Sequence, residues 1–342
     1  MTRTARRRWS RELQTQVDGL CLAASGPILL HGYEEPVGGK WVDEVIPGKL
    51  GAIDRTTGET LWSSPCEVGY GRGFGAGFGR SQNAVVLGPS NQGHRAIRMD
   101  ITSGELLMVQ DVPSFDVALV FEDICLSVQP GRVIAYNTDD FSVRWMFGTS
   151  GQRYHTAARD DSRIFIIYTD STTKKQGVLM IDAETGKHPV IWVAPNVPVI
   201  HGMTVGPHAV VLLLEELINA LSHEGMIASA TTLGDIEEAG HETGGLALLA
   251  LRTDGERDQA PLWFDFVGAS PDDEISEVTI RADSGKLYVS KGAHCHVRDT
   301  LTGRALGAVT IPGLDEHIAW TVSQGALLLG EETRISLYEI PI

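Results

Sequence analysis

The feature that most constrains this chain is a short phrase that recurs along it, seen best in AIDRTTGETLW at 52–62. An apolar run ends at an acidic residue, a glycine follows four residues later, and a large apolar residue comes next. Six copies align on the residue before the turn: Asp54, Asp100, Asn137, Asp182, Arg252 and Asp299. Most copies are roughly 40 to 50 residues apart, with one longer step of about 70, and a period in the forties is typical of a four-stranded propeller blade.

Each part of the phrase has a local structural role. An Asp or Asn side chain accepts hydrogen bonds from the backbone just after it and starts a turn, and a glycine in the left-handed conformation closes the hairpin. Four copies have that glycine: Gly58, Gly104, Gly186 and Gly303. Four copies have a tryptophan that we expect to cover the junction between neighbouring sheets: Trp62, Trp145, Trp192 and Trp263. Met108 and Leu306 stand near that place in the other two copies, which predicts looser packing there.

The two ends of the sequence complete the blade count. Residues 318–342 supply three strand-like runs, and 6–17 supply one more, with its own tryptophan, Trp9. Pairing these segments removes exposed sheet edges. The sequence therefore predicts an all-β fold: a seven-bladed β-propeller of four-stranded antiparallel blades, closed by the N-terminal strand joining the last blade, in a single domain over 1–342. Eight blades are the alternative, because the longest step has room for another hairpin.

The copies AIDRTTGETLW and MIDAETGKHPVIW resemble the PQQ-like (quinoprotein-like, WD-repeat-like) β-propeller repeat family. That resemblance implies the propeller architecture but not a reaction, because the family includes quinone-dependent dehydrogenases and non-catalytic members, and fold alone does not choose between them. The dehydrogenases stack their quinone on a disulfide between adjacent cysteines. Here Cys21, Cys66, Cys125 and Cys295 are far apart. We therefore expect no cofactor and no catalytic residues.

Charge and cysteine usage narrow the partners and the location. The net charge of -16 repels phosphate backbones, so we expect neither nucleic acid nor membrane as a partner. Four scattered cysteines predict buried free thiols in a reducing compartment. The basic N-terminus is followed by polar residues instead of an apolar signal segment, which favours a cytoplasmic location. Twin-arginine export is the alternative, since Arg6, Arg7 and Arg8 precede the apolar run at 20–30.

Three unusual segments fall on the same predicted face of the propeller. Insertions at 31–49 and 215–244 lie between the second and third strands of blades one and five, and the glycine stretch at 69–80 joins blade one to blade two. Long loops on a rigid scaffold commonly carry binding sites. In the glycine stretch, glycines alternate with larger side chains, which point to the opposite side if the segment is extended.

Two interpretations of the glycine stretch remain open. It presents aromatic and arginine side chains to a partner, or it is an innermost strand squeezed against its neighbours, where only glycine fits. The first interpretation assigns partner binding to Tyr70, Arg72, Phe74, Phe78 and Arg80. His294 and His296 share a strand face, but no second pair accompanies them, so we expect no metal site.

Together these features predict a non-catalytic protein–protein interaction scaffold of a cytoplasmic bacterial multi-protein system. The alternative is an enzyme or small-ligand-binding propeller with its site at the mouth of the central channel. The sequence leaves the oligomeric state open.

Overall fold

The structure, a computed structural model, describes residues 3–23, 25–33, 46–70, 73–80, 83–193, 199–215, 246–254, 261–267 and 278–341. These residues form β-strands almost throughout, with one short 3-10 helix at Leu314–Glu316. The strands pair into seven sheets, each an antiparallel set of four, and one sheet carries an extra parallel strand. The predicted seven-bladed β-propeller is confirmed, and the eight-bladed alternative is wrong for the described residues.

In chain order the strands are β1 (Arg3–Thr4), β2 (Arg6–Glu12), β3 (Gln16–Leu22), β4 (Ile28–Tyr33), β5 (Ile46–Ile53), β6 (Thr60–Tyr70), β7 (Gly75–Phe78), β8 (Ala84–Ser90), β9 (Gly93–Met99), β10 (Leu106–Val112), β11 (Val117–Val120), β12 (Ile124–Gln129), β13 (Arg132–Asn137), β14 (Val143–Phe147), β15 (Gln152–Arg159), β16 (Arg163–Asp170), β17 (Gln176–Asp182), β18 (Val190–Val193), β19 (Val199–Val205), β20 (Ala209–Glu215), β21 (Ala247–Arg252), β22 (Trp263–Phe266), β23 (Thr279–Asp283), β24 (Lys286–Lys291), β25 (His294–Asp299), β26 (Ala305–Thr310), β27 (Ala319–Ser323), β28 (Ala326–Glu331) and β29 (Arg334–Glu339).

The chain divides into two units, and the first comprises Ala5–Thr149 and Glu316–Pro341. Its four sheets are blade one (β3–β6), blade two (β7–β10), blade three (β11–β14) and blade seven (β27–β29 with β2). The N-terminal strand β2 is the fourth strand of blade seven, with Trp9 opposite Leu337. Within this unit the first strands of successive blades lie side by side, and buried clusters fill the spaces between blades seven and one, one and two, and two and three.

The second unit comprises Met1–Thr4, Ser150–Asp315 and Ile342. It holds blade four (β15–β18), blade five (β19–β22) and blade six (β23–β26). The short strand β1 adds to the outer strand of blade six in parallel, with Arg3 opposite Val309. Buried aliphatic clusters lie between blades four and five and between blades five and six, so each unit is stabilised by the same kind of contact between sheets.

The recurring turn joins the third and fourth strands of a blade. In blade one the Asp54 carboxylate accepts hydrogen bonds from the backbone N–H groups of Thr56 (2.8 Å) and Thr57 (2.7 Å), and the Gly58 N–H donates to the Asp54 carbonyl at 2.8 Å. Gly58 has a φ of +74°, as a left-handed turn position requires. These bonds form within the phrase itself, which explains why it can recur, while the Arg55 and Thr57 carbonyls accept hydrogen bonds from Trp9 and Arg11 of blade seven.

The tryptophans dock onto the turn of the next blade. The Trp62 indole of blade one donates to the Ile101 carbonyl of the blade-two turn at 2.6 Å. A Cβ added at Gly104 would lie 2.7 Å from two of the Trp62 ring atoms, so the ring packs directly on this glycine. Trp9 contacts Gly58 and Trp263 contacts Gly303 in the same way. The expected covering of sheet junctions is therefore present at Trp62 and Trp263, and these two tryptophans and Trp9 each pack on a glycine of the next blade.

The two copies that lack the tryptophan differ from each other. Met108 is opposite Arg98, the register position that Trp62 holds opposite Ala52, so Met108 is in the expected place. In blade six the residue opposite Val297 is Gly307, and Leu306 is the unpaired residue of the strand-pair irregularity, as Leu107 is in blade two. The assignment of Leu306 to the tryptophan position is corrected accordingly: Leu306 is 36% exposed and covers no junction.

Candidate binding site

The glycine stretch lies where two first strands approach closely. A Cβ added at Gly75 would lie 2.4 Å from the Ala118 carbonyl oxygen, and one added at Gly77 would lie 2.8 Å from the Val120 Cβ. Both neighbours belong to β11 of blade three. The larger side chains of the same strand pack on the opposite side, in the cluster between blades one and two. The alternation of glycines with larger residues therefore follows from packing two strands of different blades against each other.

The predicted partner-binding residues differ in position and exposure in the structure. Tyr70 ends β6, and Arg72 lies outside the described residues. Phe74 is half-buried, with its ring centroid 4.6 Å from that of His31. Phe78 is half-buried at the end of β7, and the side chain of Arg80 is 64% exposed just beyond it. The structure thus brings Phe78 and Arg80 together, whereas Phe74 packs into the space between two blades.

Phe78 and Arg80 line a cavity of about 580 Å³ at the ends of the first strands of the first unit. We call it the first-strand cavity. Its walls come from the ends of β3, β7 and β11 with the turns that follow them, from the blade-two turn, and from β27. The lining residues are Leu20, Cys21, Leu22, Ala23, Ser25, Pro27, Ala76, Gly77, Phe78, Gly79, Arg80, Ile101, Val120, Phe121, Glu122 and Thr321. This volume lies within the range of about 300–1,000 Å³ that is typical of ligand pockets.

The ion pair between Asp123 and Arg144 is buried and lies beside Arg80, the cation of the cavity wall. Asp123 is 8% exposed, and its carboxylate accepts a hydrogen bond from the Arg144 guanidinium at 2.8 Å. Arg144 also donates to the Asp123 carbonyl and to the side chain of Asn137, which fixes its plane. The Arg80 guanidinium lies 4.0 Å from the same carboxylate. Because Arg144 already neutralises Asp123, Arg80 presents positive charge at the cavity wall, beside the exposed Glu122.

The one thiol in the cavity wall is unreactive. The Cys21 thiol donates a hydrogen bond to the Ala76 carbonyl at 3.2 Å, and burial raises its pKa to about 12. The thiolate, which is the nucleophile, is therefore negligible at neutral pH. All four cysteines are free, and three of them are buried. In the part of the chain that the structure describes, no three His, Cys, Asp or Glu side chains gather as metal ligands.

The two predicted insertions lie mostly outside the described residues. In blade one, β4 runs to Tyr33 and β5 begins at Ile46, so the ends of the predicted insertion 31–49 are strand and 34–45 lie outside. In blade five, β20 ends at Glu215, and 216–245 lie outside. The first-strand cavity lies at the ends of the blades where first and second strands are joined, which in blade one is the opposite end from Tyr33 and Ile46. No helix within the described ranges has the length and apolar character to cross a bilayer.

The fold is a β-propeller, and the resemblance to the PQQ-like propeller repeat seen in the sequence is confirmed. More particularly, residues 47–192 match the family model of the outer membrane protein assembly factor BamB. This matched segment includes Phe78, Arg80 and the walls of the first-strand cavity that blades two and three supply. No protein in the curated set matches the chain.

Two solved structures illustrate how widely the fold is shared. BamB from Moraxella catarrhalis is 13% identical with a TM-score of 0.51, over 98% of this chain and 100% of that chain. The computationally designed Ika8 protein is 12% identical with a TM-score of 0.54, over 96% of this chain and 98% of that chain. Identities this low establish the architecture alone.

The cavity was not predictable as a set of residues. Its members are spread from Leu20 to Thr321, and only the pairing of strands across blades brings them together. Phe78 and Arg80 were found because the glycine alternation stands out locally. Cys21, Glu122 and Thr321 carry no such signal.

Proposed function

We propose that this chain is a protein-interaction scaffold, one component of a bacterial multi-protein system, and that a partner docks at the first-strand cavity through Phe78 and Arg80. The match of residues 47–192 to the model of an assembly factor carries the proposal, because that segment supplies the second-blade wall of the cavity. An exposed arginine next to a half-buried aromatic ring has the composition of an interface anchor. The inert Cys21 thiol agrees with binding rather than nucleophilic catalysis.

A charge reversal tests this assignment. Arg80→Glu places a carboxylate 4 Å from Asp123 and removes the exposed cation, whereas Arg132→Glu reverses an exposed charge at the other end of blade three. We expect wild type and R132E to capture the same protein from native lysate and R80E to lose it. The captured protein is then purified, and its binding to the three chains is measured directly. Equal binding by R80E and R132E would show that Arg80 is not part of the interface.

Binding of a small molecule in the same cavity is the second candidate. The observation that favours it is the volume of about 580 Å³ with a single arginine among mostly apolar lining residues. A thermal-shift screen with metal ions, quinones and sugars tests it, with Arg80→Ala as the matched variant. A shift that the wild type shows and R80A lacks would support a ligand site, and no shift for any class would argue against it.

The cytoplasmic location remains part of the proposal. It is supported by the four scattered free cysteines, which are typical of a reducing compartment. Fractionation of cells that express the full-length protein tests it. Recovery in the soluble cytoplasmic fraction would support the cytoplasmic location, and recovery with the cell envelope would contradict it.

A further inference from the structure

Buried polar atoms that have no protein partner are concentrated in blades two and three. Among the described residues, six side chains have a buried nitrogen or oxygen atom to which no protein group hydrogen-bonds. One of them, His31 in blade one, has its Nδ1 atom 3.3 Å from the Asp18 carboxylate. The other five belong to blades two and three: His94 Nδ1, Arg98 Nε, Ser127 Oγ, Gln129 Nε2 and Tyr136 OH.

Strand alternation directs the two blade-two side chains at blade three. Ala96 of β9 lies in the buried cluster between these blades, and His94 and Arg98 share its face because each is two residues away. Burial lowers the pKa of His94, so its ring is mainly neutral at pH 7. Hydrogen bonds from Ser142 and, to a smaller extent, the charge of Arg98 lower the pKa of Asp140. Arg98 thus has an opposite charge nearby, and neither side chain requires a bound anion.

The three blade-three side chains face the same interface. Ser127 and Gln129 of β12 share the face of Cys125, which lies in the cluster between the blades, and Tyr136 of β13 lies in that cluster too. Ser127 is fully buried and Tyr136 is 2% exposed. Burial raises the pKa of Tyr136, and the Ser127 hydroxyl offsets part of that rise. The two hydroxyls are therefore neighbours, although neither has a protein hydrogen-bond partner.

The polar contacts that Gln110 and Arg80 make from blade two to blade three are long. Gln110 Nε2 donates to the carbonyl of Phe141 at 3.4 Å, and the Arg80 guanidinium lies 4.0 Å from the Asp123 carboxylate. At the preceding interface, the Trp62 indole reaches a blade-two carbonyl at 2.6 Å. Polar groups separated by more than about 3.5 Å are commonly bridged by water.

We propose that the interface between blades two and three is a binding site for ordered water molecules, one of which bridges Ser127 and Tyr136. Buried polar groups of folded proteins are paired, and bound water takes this role where no protein group does so. Water suits this set of atoms because it both donates and accepts. Arg98 Nε and Gln129 Nε2 only donate, the two hydroxyls do both, and the neutral ring of His94 has one donor and one acceptor.

Removing one hydroxyl distinguishes a hydrated group from an unsatisfied one. Tyr136→Phe deletes a single oxygen and keeps the ring. Loss of a hydrated oxygen should lower the urea midpoint by about 0.2–0.5 M, whereas loss of an unsatisfied one should leave it unchanged or raise it. Ser290→Ala is the reference for a paired hydroxyl, because Ser290 bonds the Thr279 hydroxyl at 2.7 Å. We expect Tyr136→Phe and Ser127→Ala to lower the midpoint as Ser290→Ala does.

A water shared by the two hydroxyls makes their losses non-additive. Ser127→Ala should lower the midpoint less in the Tyr136→Phe background than in wild type. A high-resolution crystal structure of the full chain should show a water about 2.5–3.0 Å from both Ser127 Oγ and Tyr136 OH. Additive losses, a midpoint that Tyr136→Phe leaves unchanged or raises, a direct bond between the hydroxyls, or an anion in this position would each overturn the proposal.

Discussion

The indole of Trp62 lies on Gly104, and its N–H donates to the carbonyl of Ile101 in the same turn. One side chain therefore joins two sheets by packing and by a hydrogen bond. The contact has the same form between Trp9 and Gly58 and between Trp263 and Gly303. The recurring phrase thus supplies two parts of a contact: in these three pairs, one blade provides the tryptophan and the next blade provides the glycine on which it packs.

Replacing Gly104 should destabilise the fold, and a second glycine without a ring contact separates the cost of backbone strain from the cost of crowding the Trp62 ring. Gly104→Ala adds left-handed strain at a φ of +73° and a methyl group 2.7 Å from the Trp62 ring, at a cost of about 2–4 kcal/mol. Gly285→Ala meets the same strain at +77° with nothing within 4 Å, and should cost only about 1–2 kcal/mol. Urea unfolding measures both. Equal losses would show that the ring contact is unimportant.

Met108 and Phe141 take the place of the tryptophan–glycine pair between blades two and three. The turn of blade three has Phe141, at a φ of +52°, where Gly104 stands in blade two, and both Met108 and Phe141 lie in the cluster between these blades. Phe141→Gly alone should cost about 3–5 kcal/mol through the cavity it leaves, and Met108→Trp alone about 1–3 kcal/mol through overpacking. The double variant restores the usual pair. A double-mutant cycle should give a favourable coupling of about 0.5–3 kcal/mol. Strict additivity would contradict the claim that Met108 and Phe141 take the place of the tryptophan–glycine pair.

The closeness of β7 and β11 predicts opposite effects of one substitution at two glycines. Gly75→Ala forces a methyl group against the Ala118 carbonyl and should cost about 1–3 kcal/mol. Gly202, on the first strand of blade five, has no neighbour closer than 3.7 Å to an added Cβ and no positive φ. Gly202→Ala should therefore stabilise by about 0.4–1 kcal/mol, because it restricts the unfolded chain. Thermal unfolding of the two variants distinguishes them, and a stabilising Gly75→Ala would refute the close approach.

The turn carboxylates predict loss of stability in acid. Backbone N–H groups of Thr57 and Thr56 lower the pKa of Asp54, and the backbone and hydroxyl groups of Ser103 lower that of Asp100. Since these pKa values are lower in the folded chain, the contribution is complete above the ordinary value of about 3.9 and is lost as pH falls through the lowered values. The free energy of unfolding should fall below about pH 4. Asp100→Asn should flatten part of this decline, and an unchanged profile would contradict the assignment.

The turns were predictable because their chemistry is local. Asp54, Thr57 and Gly58 are close in sequence and hydrogen-bond to one another, so the local sequence is enough to predict the conformation of the turn. The counting of blades follows from the same phrase. The placement of Gly307 at the tryptophan position was predictable as well, because Gly307 follows Asp299 by the same eight residues that separate Trp62 from Asp54.

The binding features depend on which strands meet, and that information is spread over the whole chain. The glycine alternation at 69–80 fits an exposed rim and a squeezed strand equally well until β11 is placed beside β7. The first-strand cavity requires β3, β7 and β11 to meet, and no window of sequence contains all three strands.

The pairing of Arg6–Glu12 with Arg334–Glu339 also has a consequence for biosynthesis. The strand β2 is synthesised long before β29, so it must wait for that distant segment before it gains its hydrogen-bond partners. Until β29 is made, Trp9 and the apolar side of blade one lack the sheet that buries them, which leaves the nascent chain vulnerable to aggregation. A chaperone that shields this segment until β29 has been made would act at the step where the topology is most exposed.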